Sequence, residues 1–320
     1  MLDGVIKNKL QLNKNINKYL DLCLKCNKCS EFCPSNIDVT DILLCAKNEY
    51  FKNSAEGKIY SFFESKYIFD TVLKIIKFIT GLFVRKTKSK TFETKAIYFG
   101  GCISAIKPDV SNFVTKLLNK MNIEAVDSDM TCCGMPFLTT GNFDRFMEVI
   151  NENISKIPQN VSLIITDCAS CEWAWNNYIK YVNDETLKNK LKQIKIKSIY
   201  ELLDENEITF QSKKETTVSY HKPCHEKNYK SIQKIINTIQ NCHYTELEDY
   251  DKCCGFASYE HPQTLKQTKP IRESKKQSMK SSSAKTILSS CVGCIISLKM
   301  LTKKKVCRLI EFLKDDCTTL

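Results

Sequence analysis

The chain has 320 residues, of which 42% are hydrophobic and 26% are charged, and its formal net charge is +12. This composition is that of an ordinary globular protein with room for two or three domains, and it excludes a disordered chain. The 18 cysteines are unusual. Because the first residues, MLDGVIKNKLQLNKN, lack the apolar stretch of a signal peptide, we expect a reducing, cytoplasmic compartment, where many cysteines indicate metal or redox chemistry.

The basic excess would ordinarily suggest nucleic acid or an anionic membrane surface as a partner. That sum counts every cysteine as neutral. Thiolates bound to metal–sulfur clusters would lower the net charge to roughly +4. We therefore expect most of the excess to offset the charge of clusters.

Four cysteines near the amino terminus follow the spacing C-x2-C-x2-C-x3-C-P, which bacterial ferredoxins use to bind a cubane [4Fe–4S] cluster. The spacing predicts a small helical ferredoxin-like domain over residues 1–60, with a zinc knuckle as the structural alternative. In two-cluster ferredoxins the fourth cysteine serves the other cluster, so either Cys33 or a remote cysteine completes this site. The predicted ligands are Cys23, Cys26, Cys29 and Cys33.

Residues 61–94 are predicted to form an amphipathic helix and a basic linker. The stretch 67–84 is mostly apolar with one narrow polar stripe, and the basic run RKTKSK follows at 85–90. Its three charges and short length make it a poor membrane span. The helix is expected either to pack between domains or to lie on an anionic surface, such as the inner face of the cytoplasmic membrane.

The second half of the chain repeats the cysteines of the first half after a shift of 121 to 123 residues. Each copy reads as one cysteine, then the vicinal pair of a CCG motif, then C-x-x-C. The repeat predicts two cysteine-rich domains, over residues 95–208 and 209–320. The equivalent cysteines are Cys102 and Cys224, Cys132 and Cys253, Cys133 and Cys254, Cys168 and Cys291, and Cys171 and Cys294.

Strand-like and helix-like patterns alternate in each repeat, which predicts an α/β fold with a parallel sheet in each domain. Strand-like runs precede both the first cysteine and the C-x-x-C pair, so these cysteines are expected to gather at the carboxyl edge of the sheet. The predicted strands lie in 95–102, 123–126, 161–171, 216–224, 243–247 and 284–294, and the predicted helices in 110–121, 198–205, 230–240 and 308–315.

The vicinal cysteines are poor candidates for a disulfide, because neighbouring Cα atoms are only about 3.8 Å apart. Five thiols also exceed the four ligands of a tetrahedral zinc, which favours a larger metal–sulfur cluster. Both thiolates of a pair reach one cluster only if the backbone turns sharply, as Gly134 and Gly255 permit. A thioredoxin-type dithiol at each C-x-x-C is the alternative, and the duplicated CCG argues against it.

These motifs resemble the CCG cysteine-rich domain family, which includes a heterodisulfide reductase component and the iron–sulfur subunits of glycolate oxidase, lactate-utilisation and anaerobic glycerol-3-phosphate dehydrogenase complexes. The resemblance covers roughly residues 16–315 and implies one iron–sulfur cluster in one or both repeats, a noncubane [4Fe–4S] cluster in the heterodisulfide reductase branch. Glycolate oxidase-like members carry two ferredoxin motifs and this chain has one, which leaves the subfamily open. Supporting motifs are FGGC (99–102), TDCASC (166–171), YHKPCH (220–225) and CCGFASYEHP (253–262).

Several residues near the motifs have competing interpretations. His221 and His225 flank Cys224, and each either contacts a cluster or is satisfied by backbone groups. Trp173 and Trp175 are expected to pack in the core rather than to relay electrons. The spare cysteines are expected to be buried small side chains, and they are Cys45, Cys242, Cys307 and Cys317.

The sequence has no G-x-G-x-x-G fingerprint after a strand, so no hydride transfer by this chain alone is expected, and no catalytic residue is assigned. The resemblance implies an electron-transfer subunit of an oxidoreductase complex, which takes electrons from an FAD-containing 2-hydroxy acid dehydrogenase and passes them to a quinone or another acceptor. The alternative is heterodisulfide reductase-like reduction of a disulfide at a noncubane cluster. A zinc-stabilised nucleic-acid-binding module rests only on the charge and the C-x-x-C pairs, and no nucleic acid partner is expected.

Overall fold

The computed structural model describes residues 2–7, 9–64, 71, 75, 92, 94–126, 128–257, 265–266 and 268–320. The predicted helix at 67–84 and the basic run at 85–90 lie outside the described residues, apart from Thr71 and Ile75. Within these described ranges, every helix is too short or too polar to cross a membrane.

A small helical head precedes the sheets. Its longest helix begins after Asp38, whose Oδ1 accepts a hydrogen bond from the backbone N–H of Asp41 at 3.1 Å, as is typical of a helix N-terminus. Tyr181, in the first sheet unit, donates a hydrogen bond to Asp41 at 2.7 Å, which fixes the head against that unit. The head comprises α1 Leu2–Ile6, α2 Lys14–Leu20, α3 Lys28–Glu31, α4 Val39–Asn53 and α5 Ala55–Phe63.

The first unit is built on a four-stranded parallel sheet of order β2-β1-β3-β4. Its central strand β3 has the sequence LIIT and is buried at every position, as expected where helices cover both faces of a parallel sheet. The strands are β1 Thr94–Phe99, β2 Ile123–Val126, β3 Leu163–Thr166 and β4 Lys195–Ser198. The helices are α6 Gly101–Ile106, α7 Pro108–Lys120, α8 Met135–Thr140, α9 Phe143–Ser155, α10 Ala169–Tyr181, α11 Glu185–Lys192 and α12 Ile199–Glu205.

The second unit repeats this topology, with parallel strands in the order β6-β5-β7-β8. The prediction of two duplicated α/β units with parallel sheets is therefore confirmed. Strands β4, β8 and β9 lie outside the predicted strand ranges, and β9 pairs antiparallel with the start of the long strand β5. The strands are β5 Phe210–Tyr220, β6 Gln240–Tyr244, β7 Thr286–Ser289, β8 Lys305–Arg308 and β9 Cys317–Thr319, and the helices are α13 Tyr229–Thr238, α14 Lys269–Ser281, α15 Val292–Leu301 and α16 Leu309–Asp315.

The two units share their hydrophobic cores. One buried cluster contains Ile97 and Trp175 of the first unit together with Leu298 of the second, and it includes seven of the eight CCG and C-x-x-C cysteines. A second cluster joins Ile165 of the first unit to Leu288 of the second. Since each core takes side chains from both sheets, the units stabilise each other.

A buried ion pair also connects the units. Arg308, at the end of β8, places Nη1 2.6 Å from Oδ2 of Asp167, which follows β3 in the first unit. Arg308 Nε lies 2.9 Å from Oε1 of Glu311. The Arg308 and Asp167 side chains are 2% and 0% exposed, so removal of either partner would leave the other charge in the protein interior.

We predict that replacing Arg308 by methionine lowers the free energy of unfolding by about 3 to 5 kcal/mol, because Asp167 remains buried without its cation. Denaturant unfolding measures the change. The matched control is Lys314→Met, which removes a more exposed pair between the units, Lys314–Asp109, and should cost at most about 1 kcal/mol. Equal losses in the two variants would contradict the importance of the buried pair.

Candidate metal centres

Each C-x-x-C pair lies where a central strand turns into a helix. Cys168 follows β3 and is the N-cap residue immediately before α10, and Cys291 follows β7 and is the N-cap residue immediately before α15. Both have extended backbone, and Cys171 and Cys294 lie one turn further on and are also buried. These cysteines therefore lie at the carboxyl edges of the two sheets, as the sequence predicts.

The backbone turns sharply after each vicinal pair, as predicted. Gly134 and Gly255 have φ values of 79° and 75°, in the left-handed region that glycine adopts without strain. In each turn the glycine N–H donates to the first sulfur of the pair, at 3.3 Å for Cys132 and 3.4 Å for Cys253. The turn thus brings both cysteines of a pair to one side of the chain.

Side chains from neighbouring helices hold the carbonyl groups of the vicinal pairs. In the first unit, Tyr178 donates a hydrogen bond to the carbonyl of Cys133 at 2.9 Å. In the second unit, Ser297 donates to the carbonyl of Cys254 at 2.7 Å. Both donors come from the helix that begins at the C-x-x-C pair, so that helix positions the two cysteine motifs relative to each other.

The five predicted cysteines of the first unit come together. The thiol of Cys133 is in hydrogen-bond contact with those of Cys132 and Cys171, and Cys171 contacts Cys168. Burial, and then the charges of Cys133 and Cys168, raise the pKa of Cys102 to about 12. A thiolate set buried in this way needs a nearby positive charge, which a bound metal would supply.

The second unit brings its five cysteines together in the same way. Cys253 is in hydrogen-bond contact with Cys224 and Cys254, and Cys294 contacts both Cys254 and Cys291. Contact with Cys253, followed by burial, raises the pKa of Cys254 well above its usual value. The two units therefore present equivalent five-sulfur sets, which we call the first and second CCG sets.

The two CCG sets face each other across the junction of the units. The side chains of Cys168 and Cys291 are in hydrogen-bond contact. Ser170, in the first unit, also lies 3.1 Å from Sγ of Cys291 through its Oγ, and the N–H of Ala169 donates to the carbonyl of Ser290 at 3.3 Å. Groups bound at the two sets would be neighbours.

The amino-terminal cysteines lie in a tightly turned loop. Lys25 and Asn27, on either side of Cys26, have positive φ values of 52° and 61°, a conformation that is uncommon for residues other than glycine. Backbone N–H groups donate to two of the sulfurs, from Lys25 to Cys23 and from Ile37 to Cys33, both at 3.4 Å. Such a loop can direct several thiolates to one side. We call this group the head set, Cys23, Cys26, Cys29 and Cys33.

The head set lies beside the second CCG set. Burial raises the pKa of the Cys26 thiol. The charge of Cys253 also raises this pKa, by more than the charges of Cys23 and Cys29 do. The ring of His225 contacts the carbonyl of Lys25 at 3.0 Å through Nε2, and Lys28 pairs with Asp251 at 3.6 Å. The head set is thus joined to the second unit next to that unit's cysteines.

The tryptophans and histidines near the motifs have different surroundings. Trp175 is buried and packs edge-on against Phe99 at 5.4 Å, which confirms core packing. Trp173 packs half-buried against the same core and also stacks on His225 at 5.1 Å. His225 is satisfied by a backbone carbonyl, whereas His221 is fully buried and lies within 4.8 Å of the sulfurs of Cys254 and Cys294.

The spare cysteines separate into two groups. Cys307 and Cys317 are buried in the hydrophobic core, as predicted, and Cys242 packs partly buried against it. The prediction is wrong for Cys45, which is exposed on α4. Cys45 lies on a solvent-facing side of α4 next to the buried Leu44, and residue type alone does not show which side of the helix faces water.

Two buried carboxylates near the cysteines have no motif that marks them. Glu172 follows Cys171 and accepts a hydrogen bond from Asn228 at 2.8 Å, and Glu226 accepts one from Ser290 at 2.5 Å. Burial, and then the charge of Glu226, raises the pKa of Glu172 to about 7. The one feature of the sequence that could have indicated these glutamates is that they lie within two residues of a motif cysteine.

The donor chemistry fits metal–sulfur clusters. Each CCG set supplies five largely buried sulfur atoms and backbone N–H groups directed at sulfur, the environment in which thiolates bind iron and have their potentials tuned. Fold and site together define a duplicated cysteine-rich α/β protein. The sequence matches the profile of the cysteine-rich domain, CCG, over residues 96–175 and 218–299. The two matches cover about half of the chain, which belongs to this family.

Two of the following three relatives are named as iron–sulfur proteins. The chain is 25% identical to an uncharacterized iron–sulfur protein of Methanococcus maripaludis, over 79% of this chain and 50% of that one. It is 20% identical to a probable glycolate oxidase iron–sulfur subunit of Bacillus subtilis, over 94% and 81%. It is 22% identical to one of the subunits of a dihydromethanophenazine:CoB–CoM heterodisulfide reductase of Methanosarcina acetivorans, over 73% and 61%.

The chain spans about half the length of the Methanococcus maripaludis protein. Among solved structures, an aspartate racemase homologue from Pyrococcus horikoshii matches 70% of this chain and 96% of its own, at 10% identity. The TM-score of this match is 0.25.

We predict that Gly134→Ala destabilises the protein by about 1 to 3 kcal/mol, because alanine resists positive φ and its Cβ would lie 2.6 Å from the Phe146 ring. Thermal unfolding measures the loss. The matched control is Gly4→Ala, whose new methyl group would meet only the side chain of Leu10. If Gly134→Ala were no more destabilising than the control, the CCG turn would not depend on its glycine.

Proposed function

We propose that this chain is an iron–sulfur electron-transfer subunit of an oxidoreductase complex, with a cubane [4Fe–4S] cluster in the head set and a cluster in each CCG set. The observation that carries the proposal is the proximity of the three cysteine sets to one another. The head set adjoins the second CCG set at Cys26 and Cys253, and the second set adjoins the first at Cys291 and Cys168. Clusters bound there would form one row.

Such a row suits the transfer of single electrons through the protein interior. The motif cysteines of the second CCG set are buried or half-buried, whereas Cys29 of the head set is exposed. Electrons can therefore enter or leave at the head and move inward to the facing CCG sets. The charge of the surrounding groups and the hydrogen bonds to sulfur would set the potential of each cluster.

The proposed electron donor is an FAD-containing dehydrogenase that oxidises a 2-hydroxy acid such as glycolate or lactate, with a quinone or another carrier as the acceptor. The similarity to a probable glycolate oxidase iron–sulfur subunit over 94% of this chain supports this assignment. We propose that the three sets of cysteines, including Cys33, are the cluster ligands.

A second candidate is the reduction of a disulfide substrate. The contact between Cys168 and Cys291 favours it, because two facing clusters could each supply one electron to a substrate bound between the units. A relative named as part of a heterodisulfide reductase supports the same idea. Disulfide cleavage takes two electrons and two protons and yields two thiols, so thiol formation with a reduced viologen dye as electron donor distinguishes it from quinone reduction.

We predict about 12 iron and 12 sulfide per chain after anaerobic purification, from one four-iron cluster in each set. Cys254→Ser should remove about four of each, since it breaks only the second CCG set, and should abolish electron transfer from the dehydrogenase to a quinone analogue. Cys45→Ser, at the exposed spare cysteine, is the matched control and should retain both. Zinc with little sulfide in the wild-type protein would refute the proposal.

A further inference from the structure

The two CCG sets occupy equivalent positions, but the side chains around them differ. Counted back from the first cysteine of each repeat, Phe99 and His221 are equivalent, three residues before Cys102 and Cys224. Both lie at the carboxyl end of the first strand of their unit, since Phe99 is the last residue of β1 and His221 comes directly after β5. At this position the first unit therefore has an all-carbon ring, and the second unit has an imidazole ring with two nitrogen atoms.

His221 is directed at the second CCG set. Its ring is fully buried, and one ring nitrogen lies within 4.8 Å of the sulfur atoms of both Cys254 and Cys294. Among the described residues, neither Nδ1 nor Nε2 has a hydrogen-bond partner. Burying an imidazole without hydrogen-bond partners costs folding free energy. A group bound at the sulfurs of Cys254 and Cys294 would provide the missing partner.

The surroundings leave the His221 ring free for such a contact. The nearby charged side chains are Lys275 and Asp249, and the Lys275 ammonium group donates to the carbonyl and to Oδ1 of Asp249, the latter at 3.0 Å. The backbone N–H of His221 is already used by the carbonyl of Leu288 at 2.8 Å, which fixes the position of the residue. The ring is thus held in place by its backbone, and its nitrogens remain available.

Phe99 has no comparable role in the first unit. Its ring is 1% exposed and packs edge-on against Trp175, so it contributes only apolar contact. It has neither an N–H donor nor a lone pair for a cluster. The helix that corresponds to the lysine-bearing α14 is α9, with the sequence FDRFMEVINENIS and no lysine.

We propose that His221 directs a ring nitrogen onto the second cluster, a contact that Phe99 cannot make at the equivalent position of the first unit, and that this contact makes the second cluster the more readily reduced of the two. An N–H group that donates to a cluster sulfur, or a neutral imidazole that takes the place of a thiolate on iron, stabilises the more negative reduced form. The inference rests on the proposed function, because it requires a cluster in each CCG set.

Pulsed EPR on the reduced protein tests the contact. With ¹⁵N-labelled histidine, the wild-type protein should show coupling to a histidine nitrogen, strong for a ligand and weak for a hydrogen bond, and either result supports the proposal. The coupling should vanish in His221→Phe, which copies the first unit, and persist in His243→Phe, at an exposed histidine. Absence of histidine coupling in the wild-type protein would overturn the proposal. Coupling that survives in His221→Phe and vanishes in His225→Phe would also overturn it.

A potentiometric titration followed by EPR tests the consequence. We expect two different midpoint potentials for the CCG clusters, of which His221→Phe lowers only the higher, by about tenfold in the reduction equilibrium constant or about 59 mV for one electron. Unchanged potentials at full iron and sulfide content would overturn this inference and leave the electron-transfer proposal intact. A protein without sulfide would refute both, so the two failures are distinguishable.

Discussion

The burial of cysteine thiols at the carboxyl edges of two parallel sheets is the constraint on which the rest of the structure depends. A sulfur set such as Cys132, Cys133 and Cys171 is nearly excluded from water, and bringing negative thiolates there is costly without a compensating cation. The local structure is built to hold these groups. Strand ends fix the C-x-x-C pairs, left-handed glycines turn the CCG segments, and side chains such as Tyr178 hold the backbone of the pairs.

Duplication produces two sites with one geometry and two environments. Both sheets have the same strand order, and Cys168 and Cys291 bring their cysteine sets into contact. Around the first set lies the buried pair of Asp167 and Arg308, and beside the second lie His221 and the head. Such differences would give the clusters different reduction potentials, and a difference in potential favours electron transfer in one direction along the row. The asymmetry is carried by side chains, while the backbone remains nearly symmetric.

Much of the fold could be predicted because it depends on local patterns. The runs that became β3 and β7, LIIT and TILS, are short buried strands next to motif cysteines, and the repeat makes each prediction support the other. Strand β9 could not be found, because its pairing depends on the extra length of β5 at Phe210 rather than on its own three residues. Ion pairs between residues distant in sequence could not be predicted either. Arg308 and Asp167, for example, are 141 residues apart. The outward direction of Cys45 depends on how the head packs, which residue type does not reveal.

The most direct test of the central claim is anomalous diffraction at the iron edge from crystals grown without oxygen. The account predicts three iron-containing peaks in each chain. One should lie in the loop of the head set, and two should lie at the facing sheet edges, next to Cys133 and next to Cys254. Peaks at the zinc edge only, or iron confined to the head, would contradict the assignment of the CCG sets as metal–sulfur centres.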